Sequence, residues 1–176
     1  RAIAFGNLND PASAVAGLHL TEIDGADLKA YREPLEKAYA RDLREDGGVP
    51  AEVAEHRARL STEELFPDGR LSPGSSVWRA EDGAGRPVGM LWLARRDVGT
   101  PGEHVWVYDI EVDPGRRGQG WGRRLMQEAE RVTCEWGFSS LRLNVFAGND
   151  VARGLYRSQG FVEQSVTMTK DVAEPS

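Results

Sequence analysis

Ile110–Met126 reads IEVDPGRRGQGWGRRLM, and how this stretch is read decides the fold. An alternating apolar segment, HVWVYDIEVD, runs into it and predicts a strand. After it Leu125, Ala129, Val132 and Trp136 recur at helical spacing up to Gly137. The glycines Gly118, Gly120 and Gly122 therefore sit at a strand-to-helix junction, among Arg116, Arg117, Arg123 and Arg124. Such a turn leaves backbone N–H groups pointing one way, and the helix dipole adds partial positive charge. Glycines let an anion approach closely, and arginines around the rim add charge-assisted donors. The segment is built for phosphate or pyrophosphate.

Which phosphate ligand it serves is narrowed by exclusion. A nucleoside-triphosphate loop needs Lys-Ser or Lys-Thr after its glycines, and none follows here. A dinucleotide fold needs G-x-G-x-x-G in its first strand–helix unit, whereas the spacing here is G-x-G-x-G behind antiparallel strands. The further motifs of a protein kinase are absent.

Working outward, Leu18–Ile23 reads as a strand, and a helical pattern covers Asp27–Glu45, where Pro34 should kink or divide it. Gly47 and Gly48 stop that pattern, and Pro50 opens a second helix that Pro67 ends. VWRAED and PVGMLWLARRD flank Gly83–Arg86 as a hairpin. Leu141–Phe146 reads as a strand, Asn149 as the N-cap of a helix ending near Gly160, and the alternating tail VEQSVTMTKDV as one or two further strands. The expectation is one α/β (α+β) domain over residues 18–172, with a mixed, mostly antiparallel sheet of six to seven strands flanked by about four helices. Residues 1–17, beginning with Arg, are set aside as a tail or an appended, non-native segment.

Bulk properties fit this. The chain has 176 residues, 40% of them hydrophobic and 28% charged, with a net charge of −6. The acidic balance lies mainly in the first half and argues against nucleic acid as a partner. No apolar run is long enough to span a bilayer, so no membrane is expected. Cys134 is the one cysteine, so no internal disulfide can form; a cytoplasmic location and a packing role for Cys134 are expected. His19, His56 and His104 are scattered and suggest no metal site. Gly154, in mid-helix, points to close approach by a cofactor or a strand.

The loop with its flanks resembles the GNAT superfamily of N-acetyltransferases, in its small stand-alone bacterial form. The family's signature, Arg or Gln, two residues, Gly, one residue, Gly or Ala, is matched by Arg117-Gly118-Gln119-Gly120-Trp121-Gly122. The likeness extends into LRLNVFAGNDVARGLYRSQGF, spans about Val105 to Lys170 with specific motifs, and upstream covers only the order of elements. The resemblance implies acetyl-CoA as co-substrate and no metal. It assigns Ile110, Glu111 and Val112 to the pantetheine arm and the amides of Gly118–Arg123 to the pyrophosphate. Asn149 would contact the arm, and Tyr156, seven residues on, would act as general acid toward the CoA thiolate.

Amide formation also needs a base for the protonated amine. In strict alternation Trp106, Tyr108, Ile110 and Val112 share one face of the strand, and Val107, Asp109 and Glu111 the other, unless a bulge shifts the register. Two neighbouring carboxylates repel, which raises a pKa; Glu111 is favoured as base and Asp109 is second. Some family members carry Glu or His where Asn144 stands, or Glu where Trp106 stands, and neither residue here can be a base. That departure weakens the case for N-terminal protein acetylation. Tyr31, Tyr39 and Asn144, with Asp42 and Glu45, are placed on the acceptor side. The expected activity is acetyl transfer to a primary amine of a small molecule by direct attack in a ternary complex. Alternatives are a non-catalytic acyl-CoA sensor or interaction module, an enzyme for longer acyl chains, and a protein (Lys or N-terminal) acetyltransferase. The chain is expected as a monomer or homodimer.

Overall fold

The computed structural model describes residues 17–168 and 170, so the expectation for the N-terminal tail lies almost wholly outside the described residues. The chain opens with β1 (Leu18–Glu22), α1 (Gly25–Glu45) and α2 (Ala51–Leu65). It continues through β2 (Ser75–Asp82), β3 (Pro87–Arg96) and β4 (His104–Val112), then α3 (Trp121–Glu135), β5 (Leu141–Leu143) and α4 (Asp150–Ser158). The sheet order is β1-β2-β3-β4-β5, antiparallel except for the parallel pair β4–β5.

Both faces of the sheet are covered. On one, the apolar stripe Leu125, Ala129 and Val132 of α3 packs with Leu91, Leu93, Val105, Val107 and Phe138. Full burial of side chains of this size contributes about 1.5–3 kcal/mol each, so the stripe read from the sequence is what fixes α3. On the other face Trp92 and Val77 pack with Ile23, Leu28 and Phe66 beneath the helical pair α1 and α2. Small residues on the buried side of α2, Ala54, Ala58 and Thr62, let that helix lie close.

The structure differs from the sequence expectations in three places. The described residues form five strands, not six or seven. β5 ends at Leu143 instead of reaching Phe146, and residues 161–168 form no strand. Val162, Val166 and Met168 of that alternating tail stand exposed, so its apolar positions are not buried against the sheet. Pro34 does not divide α1, which runs unbroken around it with the proline exposed to solvent. Finally, Tyr108 is a bulge: Trp92 pairs with Asp109, but Leu93 pairs with Val107. Beyond the bulge the faces exchange. Val107 and Ile110, three apart, both join the α3 core, while Tyr108 stacks beside Trp92 on the opposite face.

Candidate active site

The bulge turns Asp109 toward α1, where the Tyr31 hydroxyl donates a 2.6 Å hydrogen bond to its carboxylate. Burial first, then the charges of Glu111 and Asp42, push the Asp109 carboxyl up against the pull of the Tyr31 bond, to about 6 on balance. Burial first, then the Asp109 charge, hold the Tyr31 hydroxyl well above its ordinary value. The same two causes push Tyr156 up to about 12, so the Asp109 charge is felt on α4 as well. Asp42, on α1, is raised by burial. Glu111 is exposed at the end of the strand.

β4 and β5 pair only from Val105–Leu141 to Val107–Leu143. Past Val107 the two strands part, and β4 continues to Val112 without a ladder partner on that side. The Glu111 carbonyl lies against β3, on Gly89. By the alternation of an extended strand, Ile110 and Val112 then turn their backbone groups toward the gap. The gap leads to the glycine loop, where Arg117 Nε donates to the Val112 carbonyl at 3.1 Å.

Within the loop the three glycines do different things. Gly118 and Gly120 have φ of 72° and 83°, and a Cβ on either would meet nothing within 4 Å. Gly120 is the N-cap of α3 and brings no side-chain cap to its first turn. Gly122 instead makes room for α4, since a Cβ there would lie 3.1 Å from Leu155 Cδ2. The arginines divide too. Arg116 is drawn away from the rim: its Nη2 donates to Asp82 at 2.7 Å, and its guanidinium lies 5.2 Å from the ring centre of Trp121. Arg124 covers the same ring at 4.6 Å. Arg123 reaches α4 through Ser158 at 3.2 Å, and Gln119 folds back on the Gly115 carbonyl at 3.1 Å.

Asn149 caps α4 as its position in the sequence implied, its Oδ1 accepting from the Ala152 amide at 3.0 Å. Tyr156 lies on that helix beside Phe161, at a ring separation of 5.8 Å. Tyr39 stacks on Phe146 at 6.4 Å, which ties α1 to the loop after β5. Asn144 stands exposed just past β5, and Trp106 lies beside His104 and Tyr108. Phe146 and Gly89 were not singled out from the sequence, because each owes its place to a partner distant in the chain. Cys134 is exposed and does not fill the packing role expected of it. No described strand approaches Gly154, around which a Cβ would find open space. Among the described residues no group of three or more His, Cys, Asp and Glu could hold a metal ion, and no helix is long and apolar enough to cross a membrane.

Residues 34–161 match the model of the acetyltransferase (GNAT) family. The chain belongs to the GNAT family. Among GNAT relatives, the N-acetyltransferase YycN of Bacillus subtilis is 27% identical over 151 residues, covering 86% of this chain and 96% of that protein. The crystal structure of YycN superposes with a TM-score of 0.81, over 89% of this chain and 99% of that one. The peptidyl-lysine N-acetyltransferase YjaB of Salmonella typhimurium is 30% identical over 117 residues, 66% of this chain and 70% of that one. The aminoglycoside enzyme AAC(6')-Iy, in complex with a CoA-linked bisubstrate analogue, shares the fold at a TM-score of 0.56 and 16% identity, over 90% of this chain and 100% of that one.

Proposed function

We propose that this GNAT protein transfers the acetyl group of acetyl-CoA to a primary amine of a small molecule, by direct attack with both substrates bound. The observation that carries the reading is the place of Asp109. Its carboxylate sits where β4 has left β5, bonded to Tyr31 and within range of Tyr156. The residues present suit acetyl-CoA: open space surrounds the two left-handed glycines, and the gap beyond Val107 exposes strand backbone along one side. When bound, acetyl-CoA supplies an acetyl group already activated as a thioester.

The amides from Gly118 to Arg123 would hold the pyrophosphate, with Arg117 and Arg123 on the rim and Trp121 fixing the start of the helix. Backbone groups of Ile110 and Val112 would align the arm, the Val112 amide polarising the acetyl carbonyl, and the Asn149 side-chain amide would bind the arm from the other side. Asp109 takes the place that the sequence had favoured for Glu111. A carboxyl at about 6 is largely ionised at neutral pH, yet basic enough to accept the amine's proton. Tyr156, at about 12, keeps its proton at the same pH and can give it to the departing thiolate. Tyr31 orients the base, and Tyr39, Phe146 and Asp42 line the approach for a cationic amine. The names of relatives that act on aminoglycosides and peptidyl-lysine support an amine acceptor.

The test is CoA release with a panel of amines: diamines, aminoglycosides, free lysine analogues and lysine-containing peptides. Turnover on a small amine is expected, and Tyr156→Phe should lower kcat by roughly ten- to a thousandfold without loss of acetyl-CoA affinity. Turnover on peptides alone would transfer the reading to protein acetylation. No turnover on any amine would favour the acyl-CoA sensor.

A further inference from the structure

We propose that Gly89 is a positioning residue that keeps β4 bent away from β5, and so holds the acyl-donor gap open. The inference rests on the acetyl-CoA reading of that gap. Gly89 is buried in β3 opposite Val112. Its φ lies outside the left-handed region, so its backbone conformation alone does not call for glycine. The demand is for space: a Cβ would fall 1.8 Å from the Glu111 carbonyl oxygen, 2.9 Å from its carbon and 3.1 Å from Val112 Cα. No other described glycine has so short an approach.

The atoms in the way belong to backbone and cannot rotate aside, as the Leu155 side chain can at Gly122. A side chain at position 89 therefore has to move β4. With β3 on one side of β4 and β5 on the other, the push at Glu111–Val112 is directed toward the gap. Two bonds would carry the shift onward. The Asp113 amide donates to the Val88 carbonyl at 2.8 Å, and Arg117 Nε to the Val112 carbonyl at 3.1 Å, so the exit of β4 and the glycine loop move with Val112. Asp109, paired with Trp92 next to the bulge, is further from the disturbance. The absent side chain is thus tied to donor binding more than to the base.

The experiment compares wild type, Gly89→Ala and Val77→Ala, the last a buried β2 residue in the other core that serves as a control for lost stability. Acetyl-CoA affinity is measured by calorimetry, and both Michaelis constants by CoA release. Gly89→Ala should weaken acetyl-CoA binding and raise its KM by about ten- to a hundredfold, while the amine KM holds. Val77→Ala should leave both constants unchanged. Equal acetyl-CoA affinity in Gly89→Ala and wild type would overturn the proposal alone, as would an equal loss in Val77→Ala. Absence of binding by wild type would overturn the acetyl-CoA reading itself, and this proposal with it. Should Gly89→Ala not fold, the comparison is made in the Asp109→Asn background, where loss of the raised buried carboxyl adds stability. Weaker acetyl-CoA binding by the double variant than by Asp109→Asn supports the proposal, and equal affinity overturns it.

Discussion

Asp109 is held between opposing influences. Burial and the charges of Glu111 and Asp42 favour its neutral form, while the Tyr31 hydroxyl favours the carboxylate, and the balance settles at about 6. In the role of base proposed for it, it acts when ionised, so kcat/KM should rise as pH increases through about 6. Asp109→Asn should remove that limb and lower kcat by roughly a hundred- to ten-thousandfold; a pH–rate profile of both proteins checks this. Stability runs the other way. The folded value lies above the ordinary 3.8, so wild type loses stability as pH rises from there through about 6. The Asn variant should therefore be more stable than wild type by about 1–3 kcal/mol at pH 7–8. Urea titrations should show that advantage vanish below about pH 4. The sequence placed both carboxylates on β4 and ranked Glu111 first, whereas the structure bonds Asp109 to Tyr31 and leaves Glu111 exposed. The bulge at Tyr108 depends on how β3 pairs with β4, and nothing in β4 alone records it.

Among the elements, α4 is the most exposed to single changes. It has nine residues and none of them is fully buried, so its hold on the molecule comes from the Asn149 cap, the Leu155 contact over Gly122 and polar bonds such as that from Arg123 to Ser158. Removing an Asn cap costs about 1 kcal/mol. Asn149→Ala should lower the melting temperature slightly and reduce kcat several-fold by loosening Tyr156, as paired thermal melts and steady-state kinetics would show. The cap, the stop at Gly137 and the stripe of α3 were legible because each is written in residues a few positions apart. The length of β5 was not. Its pattern runs on to Phe146, but the strand ends where β4 departs, and Phe146 turns to stack on Tyr39.

For the whole molecule, a chain of net charge −6 concentrates arginines at one strand-to-helix junction, yet not all of them serve a ligand. Asp82, buried at the end of β2, takes Arg116 away from the loop and also binds Arg86. Hydrogen bonds from the Arg86 backbone, and then from both guanidiniums, hold its carboxyl far below the ordinary range. The sequence showed four arginines in one place but not which were committed to structure, because Asp82 lies far from them in the chain. The order of elements and the glycine signature were enough to expect a GNAT domain, and the architecture and the family match agree with it. In the proposed function the gap past Val107 and the glycine loop form one acetyl-CoA site. Calorimetric titration of the purified protein with acetyl-CoA, beside ATP and NAD, tests it most directly. The account predicts saturable binding of acetyl-CoA alone, with a Kd on the order of micromolar. A folded sample that fails to bind it, or binds all three nucleotides alike, would contradict the account.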